Sequence, residues 1–208
     1  IPGINQIQVH DAIGLSFAAA LRSILRQDPD VLLIGEIRDQ ETADIAVKFS
    51  MTGHLVFSTV HANDAPSTIS RLLDLGIPPF LLGSSLNLIM AQRLVRTIDP
   101  NEKEEDSPSA EKLQRLGIAE NANQITFYKG RPTQKNHNTG YKGRTAIHEI
   151  LAVNSSIREM IFEGKSEFEI KDQAIKNGMT PLREAGIEKI KHGVSTVEEI
   201  LRATVEDS

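Results

Sequence analysis

Apolar residues in the first half of the chain recur either at helical spacing or in short runs that are bounded by glycine, proline or acidic residues. Two short runs, Val31–Ile34 and Leu55–Val60, carry large apolar side chains at successive positions. Such runs are typical of parallel strands covered by helices on both faces. Helices and strands alternate, as they do in a sheet with crossover helices. The pattern therefore predicts an α/β fold. The predicted elements are a helix (14–27), a strand (31–36), a helix (40–51), a strand (55–60), a helix (64–75) and a long helix (80–93).

The second half is more polar and is predicted to contain several short elements. Residues 99–112 and 130–140 are rich in charged and small polar residues, so we expect solvated or mobile segments around a helix–strand unit at 111–128. An apolar strand at 144–153 follows. Two pairs, Ser166 with Glu169 and Thr196 with Glu199, have the spacing of capping boxes. The helices predicted after the strand are 155–163, 166–177, 180–192 and 195–204.

Composition narrows the functional class. The 208 residues carry a net charge of −5, which argues against a nucleic-acid-binding protein. Cysteine is absent, so disulfides and thiolate metal sites are excluded. No apolar run approaches the ~20 residues that span a bilayer. The chain opens with Ile1-Pro2-Gly3 and contains no Gly-x-x-x-x-Gly-Lys-Ser/Thr loop, so we expect it to be the carboxyl-terminal piece of a longer protein.

The strongest candidate for chemistry is the acid that follows the first predicted strand. Gly35 ends the apolar run and Glu36 comes next. Ligands of parallel sheets bind at the carboxyl ends of the strands. An acid there can hold hydrated Mg²⁺ or orient an attacking water for phosphoryl transfer. A core strand followed by a helix-capping acid explains the same residues, so this segment alone leaves both interpretations open.

Three short motifs, one of which contains Glu36, point to a family. They are Gly35–Asp39, Thr52–Asp64 and Ala91–Arg96, and they stand beside the run Arg22–Asp30. Together they resemble the hexameric secretion ATPases of type II secretion and type IV pilus assembly, the GspE/PilB group. The resemblance covers residues 1–96, resumes at Gly140–Leu151 and continues through the helical tail.

The resemblance implies a RecA-like core that lacks its first strands, followed by a mainly helical carboxyl-terminal subdomain. We expect the core at 1–98, a polar insert at 99–143 and the helical subdomain at 144–208. The family implies a cytoplasmic homo-hexamer at the inner face of the bacterial inner membrane. It uses ATP and Mg²⁺ to drive assembly of pilins or pseudopilins. Its partners are an inner-membrane platform protein and a cytoplasmic adaptor, with no nucleic acid.

The resemblance also assigns roles to individual residues. Glu36 occupies the family's Walker B box, where it coordinates magnesium or activates water. His61 belongs to the His box and is expected to hydrogen-bond the γ-phosphate. His54, at the other end of the same strand, is structural or a relay. The group expected to contact nucleotide or a neighbouring subunit comprises Arg22, Arg26, His54 and Arg93.

One part of the chain departs from the family. Members usually carry two Cys-x-x-Cys pairs that form a tetrahedral zinc site. The corresponding positions hold Asp99, Glu102, Thr133 and Asn136. Two carboxylates, a hydroxyl and an amide make a poor site for a soft metal. We therefore expect no zinc.

Two alternatives to an assembly or secretion motor remain. Pilus retraction ATPases share the Glu box and the His box, although Phe57–Ala65 and Gly76–Leu82 resemble the assembly and secretion branch more closely. A non-catalytic assembly or regulatory module derived from such an ATPase is the other alternative. A phosphate-binding loop encoded upstream of Ile1 would favour the motor.

Overall fold

Residues 2–204 are described by a computed structural model. Their contacts divide the chain into two compact units. The first unit runs to Ile89 and includes Ala152–Ala174, and the second contains Met90–Leu151 and the chain from Ile175 onwards. Each unit is therefore built from two separate stretches of sequence. The division into 1–98, 99–143 and 144–208 stays a prediction.

The first unit contains the predicted alternation of helices and strands. Val31 pairs with Leu55 and Ile34 with Ser58 in a parallel register, and a helix connects the two strands. The α/β class with a parallel sheet is thus confirmed. The elements of this part are α1 (Phe17–Ile24), β1 (Val31–Ile34), α2 (Gln40–Met51), β2 (Leu55–Ser58), α3 (Ala65–Asp74) and α4 (Pro79–Ser85).

Local chemistry explains where these elements begin. Ser16 accepts a hydrogen bond from the backbone N–H of Ala19, so α1 begins at Phe17 rather than at residue 14. Asp39 caps α2 by accepting from the backbone N–H of Thr42 at 2.8 Å. Asp64 and Ser67 form a reciprocal capping box at the start of α3. A polar residue directly before each of these three helices therefore accepts a hydrogen bond from a backbone N–H of the first turn.

Within residues 2–204, β1 is buried on one face only, and β2 is at most half-buried. Leu32 and Ile34 lie in the core, whereas Leu33 is 76% and Phe57 51% exposed. The sequence predicted burial on both faces because both runs are apolar throughout. The described helices cover the face that carries Leu32 and Ile34, and the opposite apolar face stays open.

The predicted long helix at 80–93 is wrong. Helix α4 ends at Ser85, and an extended strand, β3, occupies Leu88–Ile98. The segment from Gly83 to Asn87 is rich in weak helix formers, which ends the helix, and the residues beyond it pair with a second long strand in a two-stranded sheet. Helical spacing of apolar residues could not reveal that pairing, because the partner strand lies about fifty residues later.

The second unit combines two small sheets with helices. Strand β3 pairs with β6, and β4 pairs with β5 in an antiparallel register that joins Lys103 to Gly130. The predicted strand at 144–153 is confirmed, and it begins earlier, at Tyr141. The elements that follow β3 in the chain are β4 (Lys103–Asp106), α5 (Ala110–Leu116), β5 (Phe127–Gly130), β6 (Tyr141–Ala152), α6 (Ser155–Phe162), α7 (Glu167–Lys176), α8 (Leu182–Lys191) and α9 (Val197–Ala203). Of these, α6 and most of α7 belong to the first unit.

The core of the second unit forms where α5, β5, β6, α8 and α9 meet. Leu116, Ile118 and Phe127 are buried there with Ile147, and Leu113 and Ile125 pack at its margin. The segment at 111–128 therefore packs against the strand that follows it. The four carboxyl-terminal helices also lie where predicted, each within about two residues of its expected ends.

A buried acid joins α9 to β3 inside the second unit. Glu199 has no exposed side-chain surface and binds both Arg96 and Arg202. The backbone N–H of Glu199 bonds the Thr196 hydroxyl, so half of the predicted capping box is present. The carboxylate is engaged by the two arginines instead. The Ser166–Glu169 box is complete.

A membrane-spanning helix is not found among residues 2–204, because none of their helices is both long enough and apolar enough.

Candidate functional site

The parallel pairing of β1 and β2 places the two segments that follow them side by side. The Thr59 hydroxyl donates to the Gly35 carbonyl at 2.6 Å. The backbone N–H of Ile37 donates to the Thr59 carbonyl at 2.9 Å. These two bonds extend the contact between the strands beyond Ile34 and Ser58, and they hold the turn that carries Glu36 at the carboxyl edge of the sheet.

Glu36 and His61 meet at this edge. His61 Nε2 lies 3.1 Å from Glu36 Oε2, and Arg38 binds Oε1 of the same carboxylate. The Glu36 side chain is 27% exposed, whereas that of His61 is 88% exposed. The sequence placed both residues at the ends of neighbouring strands, and the structure brings their side chains into contact. An acid and an imidazole thus face solvent together.

The Arg38 guanidinium stabilises the ionised form of this acid. The hydrogen bond from Arg38 lowers the pKa of Glu36 below the usual 4.5. Burial raises this pKa by a smaller amount, whereas the charge of Arg38 and a hydrogen bond from His61 lower it further. The carboxylate is therefore ionised at neutral pH. An ionised carboxylate can accept hydrogen bonds from an attacking water or from the water shell of a cation.

A cavity of about 580 Å³ opens beside Glu36 in the first unit. Its lining includes Arg38, Asp39 and Glu41, together with residues from the segment before α1. The volume lies within the usual range for ligand pockets. Carboxylates outnumber guanidinium groups on its wall, and each has a partner: Arg38 binds Glu36, the Thr42 N–H binds Asp39, and Arg22 binds Glu41. Mg²⁺ is typically bound through one or two carboxylates while it keeps several waters, and Glu36 fits that role.

Arg22 and Arg26, the two arginines proposed near the amino-terminal end, have different surroundings. Arg22 forms an ion pair with Glu41, which lies in the first turn of α2. That pair connects α1 with the lining of the cavity. Arg26 lies one turn further, in the 3-10 segment Leu25–Gln27, and is exposed. Only Arg22 of the two is therefore linked to the region around Glu36.

His54 lies at the opposite end of β2 from His61. His54 precedes β2, so the four-residue strand, about 13 Å long, separates it from the segment that carries His61. Its ring stacks on Phe49 with centroids 4.1 Å apart, and its Nδ1 lies 2.8 Å from the Thr52 hydroxyl. Both contacts are local, since they join His54 to residues 49–52. Arg93 lies on β3 in the second unit and donates to the Gln92 carbonyl.

Sequence reasoning missed the partner of Glu36. Arg38 stands two residues after the acid, so on an extended segment both side chains point to the same side. The Gly-Glu-Ile-Arg-Asp spacing contained that signal, but no role was assigned to the arginine. The contact between Thr59 and Gly35 depends on strand pairing, which the sequence predicted only in outline.

The four positions at which the family resemblance places zinc ligands lie close together. The Asn136 amide donates to Asp99 Oδ2 at 3.4 Å and accepts from the backbone N–H of Thr133 at 2.8 Å. Asp99 and Asn136 are both buried. Glu102 pairs with Arg131 instead. Hydrogen bonds thus connect the two ends of the insert. Within residues 2–204, no group of three or more His, Cys, Asp or Glu side chains is arranged to hold a metal ion.

Comparison with known proteins identifies the family. Residues 1–202 match the family described as "Type II/IV secretion system protein". The chain belongs to this family. Among curated relatives, a type IV pilus assembly ATPase PilB of Thermus thermophilus is 49% identical over 99% of this chain, and a PilB of Myxococcus xanthus is 48% identical over the same share. A type II secretion system ATPase E of Vibrio cholerae is 44% identical over 99% of the chain.

The chain spans only 23%, 37% and 41% of the length of those three secretion-family relatives. Among solved structures, the pilus retraction motor PilT with bound ADP superimposes with a TM-score of 0.64 at 28% identity, over 92% of this chain and 44% of PilT. The Legionella pneumophila ATPase DotB superimposes with a TM-score of 0.63 at 20% identity, over 96% of this chain and 46% of DotB, which shows the shared fold.

Proposed function

We propose that the chain supplies the hydrolytic edge of a motor ATPase that serves type II secretion or type IV pilus assembly. The contact between Glu36 and His61 at the carboxyl ends of β1 and β2 carries this proposal. Curated relatives at 44–49% identity are named as pilus assembly or type II secretion ATPases, which supports it.

The two residues divide the work of phosphoryl transfer. Glu36 stays ionised beside Arg38 and accepts a hydrogen bond from the attacking water or from a metal-bound water. His61 is exposed and donates to the γ-phosphate, so its position depends on whether that phosphate is present. Mg²⁺, when bound, neutralises charge on the phosphates. This chain has no phosphate-binding loop, so other residues of the longer protein must hold the nucleotide.

Assembly or secretion is favoured over retraction. The assembly and secretion ATPases named above are 44–49% identical to this chain, whereas the retraction motor PilT is 28% identical. The second unit also contains the 99–143 insert, which sequence resemblance links to the assembly and secretion branch. We therefore propose that the work done is addition of pilin or pseudopilin subunits.

The proposed setting follows from the family. Identical subunits form a hexamer in the cytoplasm at the inner face of the inner membrane. An inner-membrane platform protein receives the motion, and a cytoplasmic adaptor binds another part of the full-length protein. The residues proposed to contact nucleotide or a neighbouring subunit are Arg22, Arg26, His54 and Arg93. The insert is proposed to work without zinc.

The full-length protein with Glu36→Gln tests the proposal. We expect ATP binding to persist while hydrolysis falls at least about 100-fold, because the amide cannot organise water as a carboxylate does. Asp44→Asn, on the solvent side of α2 with only an exposed Lys48 pair, should leave both properties unchanged. Phosphate release and binding of a fluorescent ATP analogue measure the two steps.

The same assays separate the motor from a non-catalytic module. The 208-residue chain alone should release phosphate only at background rate, because it lacks the loop that positions the phosphates. Wild-type turnover by the full-length Glu36→Gln variant would show that the acid is only structural. A full-length wild-type protein that binds ATP without hydrolysing it would favour the non-catalytic module.

A further inference from the structure

A lysine from the second segment of the first unit reaches the segment that carries His61. Lys171 Nζ lies 3.0 Å from Asp64 Oδ2, and the two side chains are only 22% and 13% exposed. Lys171 belongs to α7, and Asp64 precedes α3 by one residue. Other ion pairs within residues 2–204 have at least one exposed partner, such as Lys48 with Asp44, whose side chains are 67% and 36% exposed. This pair is therefore unusually well shielded.

Asp64 performs two tasks with its two oxygens. Oδ1 accepts the backbone N–H of Ser67 at 2.9 Å and caps α3, while Oδ2 binds Lys171. Burial alone would raise the pKa of Asp64, but hydrogen bonds from Ser67 and then Lys171 lower it below the usual 3.8. The carboxylate therefore stays ionised at neutral pH. Because Ser67 is bound by the other oxygen, the cap of α3 does not depend on the lysine.

The segment between β2 and α3 is fixed at both ends. Thr59 is bound to Gly35 at the strand end, and Asp64 is bound to Lys171 at the helix start. His61 lies between these two anchors, three residues before Asp64, which is at most about 10 Å of chain. The position of His61 relative to Glu36 thus depends on both anchors.

We propose that Lys171 is a positioning residue: through Asp64 it holds the His61 segment in register with Glu36, and it transmits movement between that segment and α7. Its catalytic consequence rests on the function proposed above. Asp64 lies close to the phosphate-sensing side chain, whereas Lys171 is more than a hundred residues later in the chain. Removal of the lysine should loosen His61 without removing any group that touches the nucleotide.

Hydrogen exchange on the 208-residue chain tests the positioning directly. Lys171→Met keeps the aliphatic stem and removes the charge. We expect the amides of residues 60–63 to exchange at least about 3-fold faster than in the wild type, with little change at β1. Lys176→Met, an exposed lysine in the last turn of the same helix, is the matched control. Equal exchange in both variants overturns the proposal.

Turnover of the full-length protein tests the consequence. Below the melting temperature, Lys171→Met should lower kcat about 10-fold with KM for ATP changed less than about 2-fold, and Lys171→Arg should restore kcat. A merely structural lysine would lower the melting temperature and leave kcat of the folded protein intact, which overturns the proposal. If the wild type shows no turnover, the proposed function fails, and hydrogen exchange alone decides whether Lys171 positions the segment.

Discussion

Replacement of Glu199 by glutamine should destabilise the second unit more than replacement of its neighbour Glu198. Glu199 is fully buried and accepts hydrogen bonds from the guanidinium groups of Arg96 and Arg202. It also accepts from the backbone N–H of Arg96 at 2.9 Å. Burial would raise its pKa, but the bonds from Arg202 and then Arg96 lower it from 4.5 to about 2. Each pKa unit corresponds to about 1.4 kcal/mol, so ionisation contributes about 3 kcal/mol of stability at neutral pH.

The pH dependence follows from the sign of this shift. The folded-state pKa is depressed, so the stabilisation is complete above about pH 4.5 and is lost as pH falls towards 2. At about pH 3.5 roughly 1.4 kcal/mol of it should be gone. Because Arg96 and Arg202 are 42% and 60% exposed, solvent screening reduces the effect, and we expect Glu199→Gln to cost about 2 kcal/mol at pH 7.

Urea denaturation followed by circular dichroism measures this cost. Glu198→Gln is the control, since Glu198 is 44% exposed and its pair with Lys112 is worth less than about 1 kcal/mol. The difference in unfolding free energy between wild type and Glu199→Gln should shrink as the pH is lowered from 7 to about 3.5. Equal costs for the two variants at pH 7, or a difference that does not change with pH, would refute the electrostatic argument.

Two further predictions concern the insert. Gly140→Ala should lower the melting temperature much more than Gly117→Ala. Both glycines have positive φ, but only at Gly140 would the new Cβ overlap a backbone carbonyl, that of Gly130. Similar losses of melting temperature in the two variants would contradict the close approach of the Gly130 and Gly140 backbones. Elemental analysis of the purified chain should find zinc well below one equivalent, since the Asp99–Asn136 contact occupies the site; one zinc per chain that resists a chelator would contradict this.

Local patterns predicted the elements that depend on local chemistry. The helices that begin after Asp39, Asp64 and Asn154 are each capped by the preceding side chain, so their starts could be found within a few residues. The parallel pairing of β1 and β2 followed from the alternation of elements. The Glu36–His61 contact followed from the rule that ligand-binding groups collect at strand ends.

Features that depend on distant partners could not be predicted in the same way. Strand β3 was assigned to a helix because its pairing with β6 spans an insert of more than forty residues. Glu199 was assigned to a capping box, but its carboxylate binds Arg96, 103 positions earlier in the chain. Asp99 and Asn136 were placed in solvated segments, yet both are buried and they are hydrogen-bonded to each other. In each case a long-range partner outweighs the local preference.

The discontinuous make-up of the two units constrains the order in which the chain can fold. The first unit contains Ile157, Ile161 and Ile170, which are among the most buried residues of the chain. During synthesis these residues leave the ribosome more than sixty positions after Ile89. The apolar surface of α4 that contacts α6 therefore stays exposed to solvent until the insert and α6 have been synthesised. A chaperone, or slow formation of contacts with high sequence separation, is expected to govern the yield of folded protein.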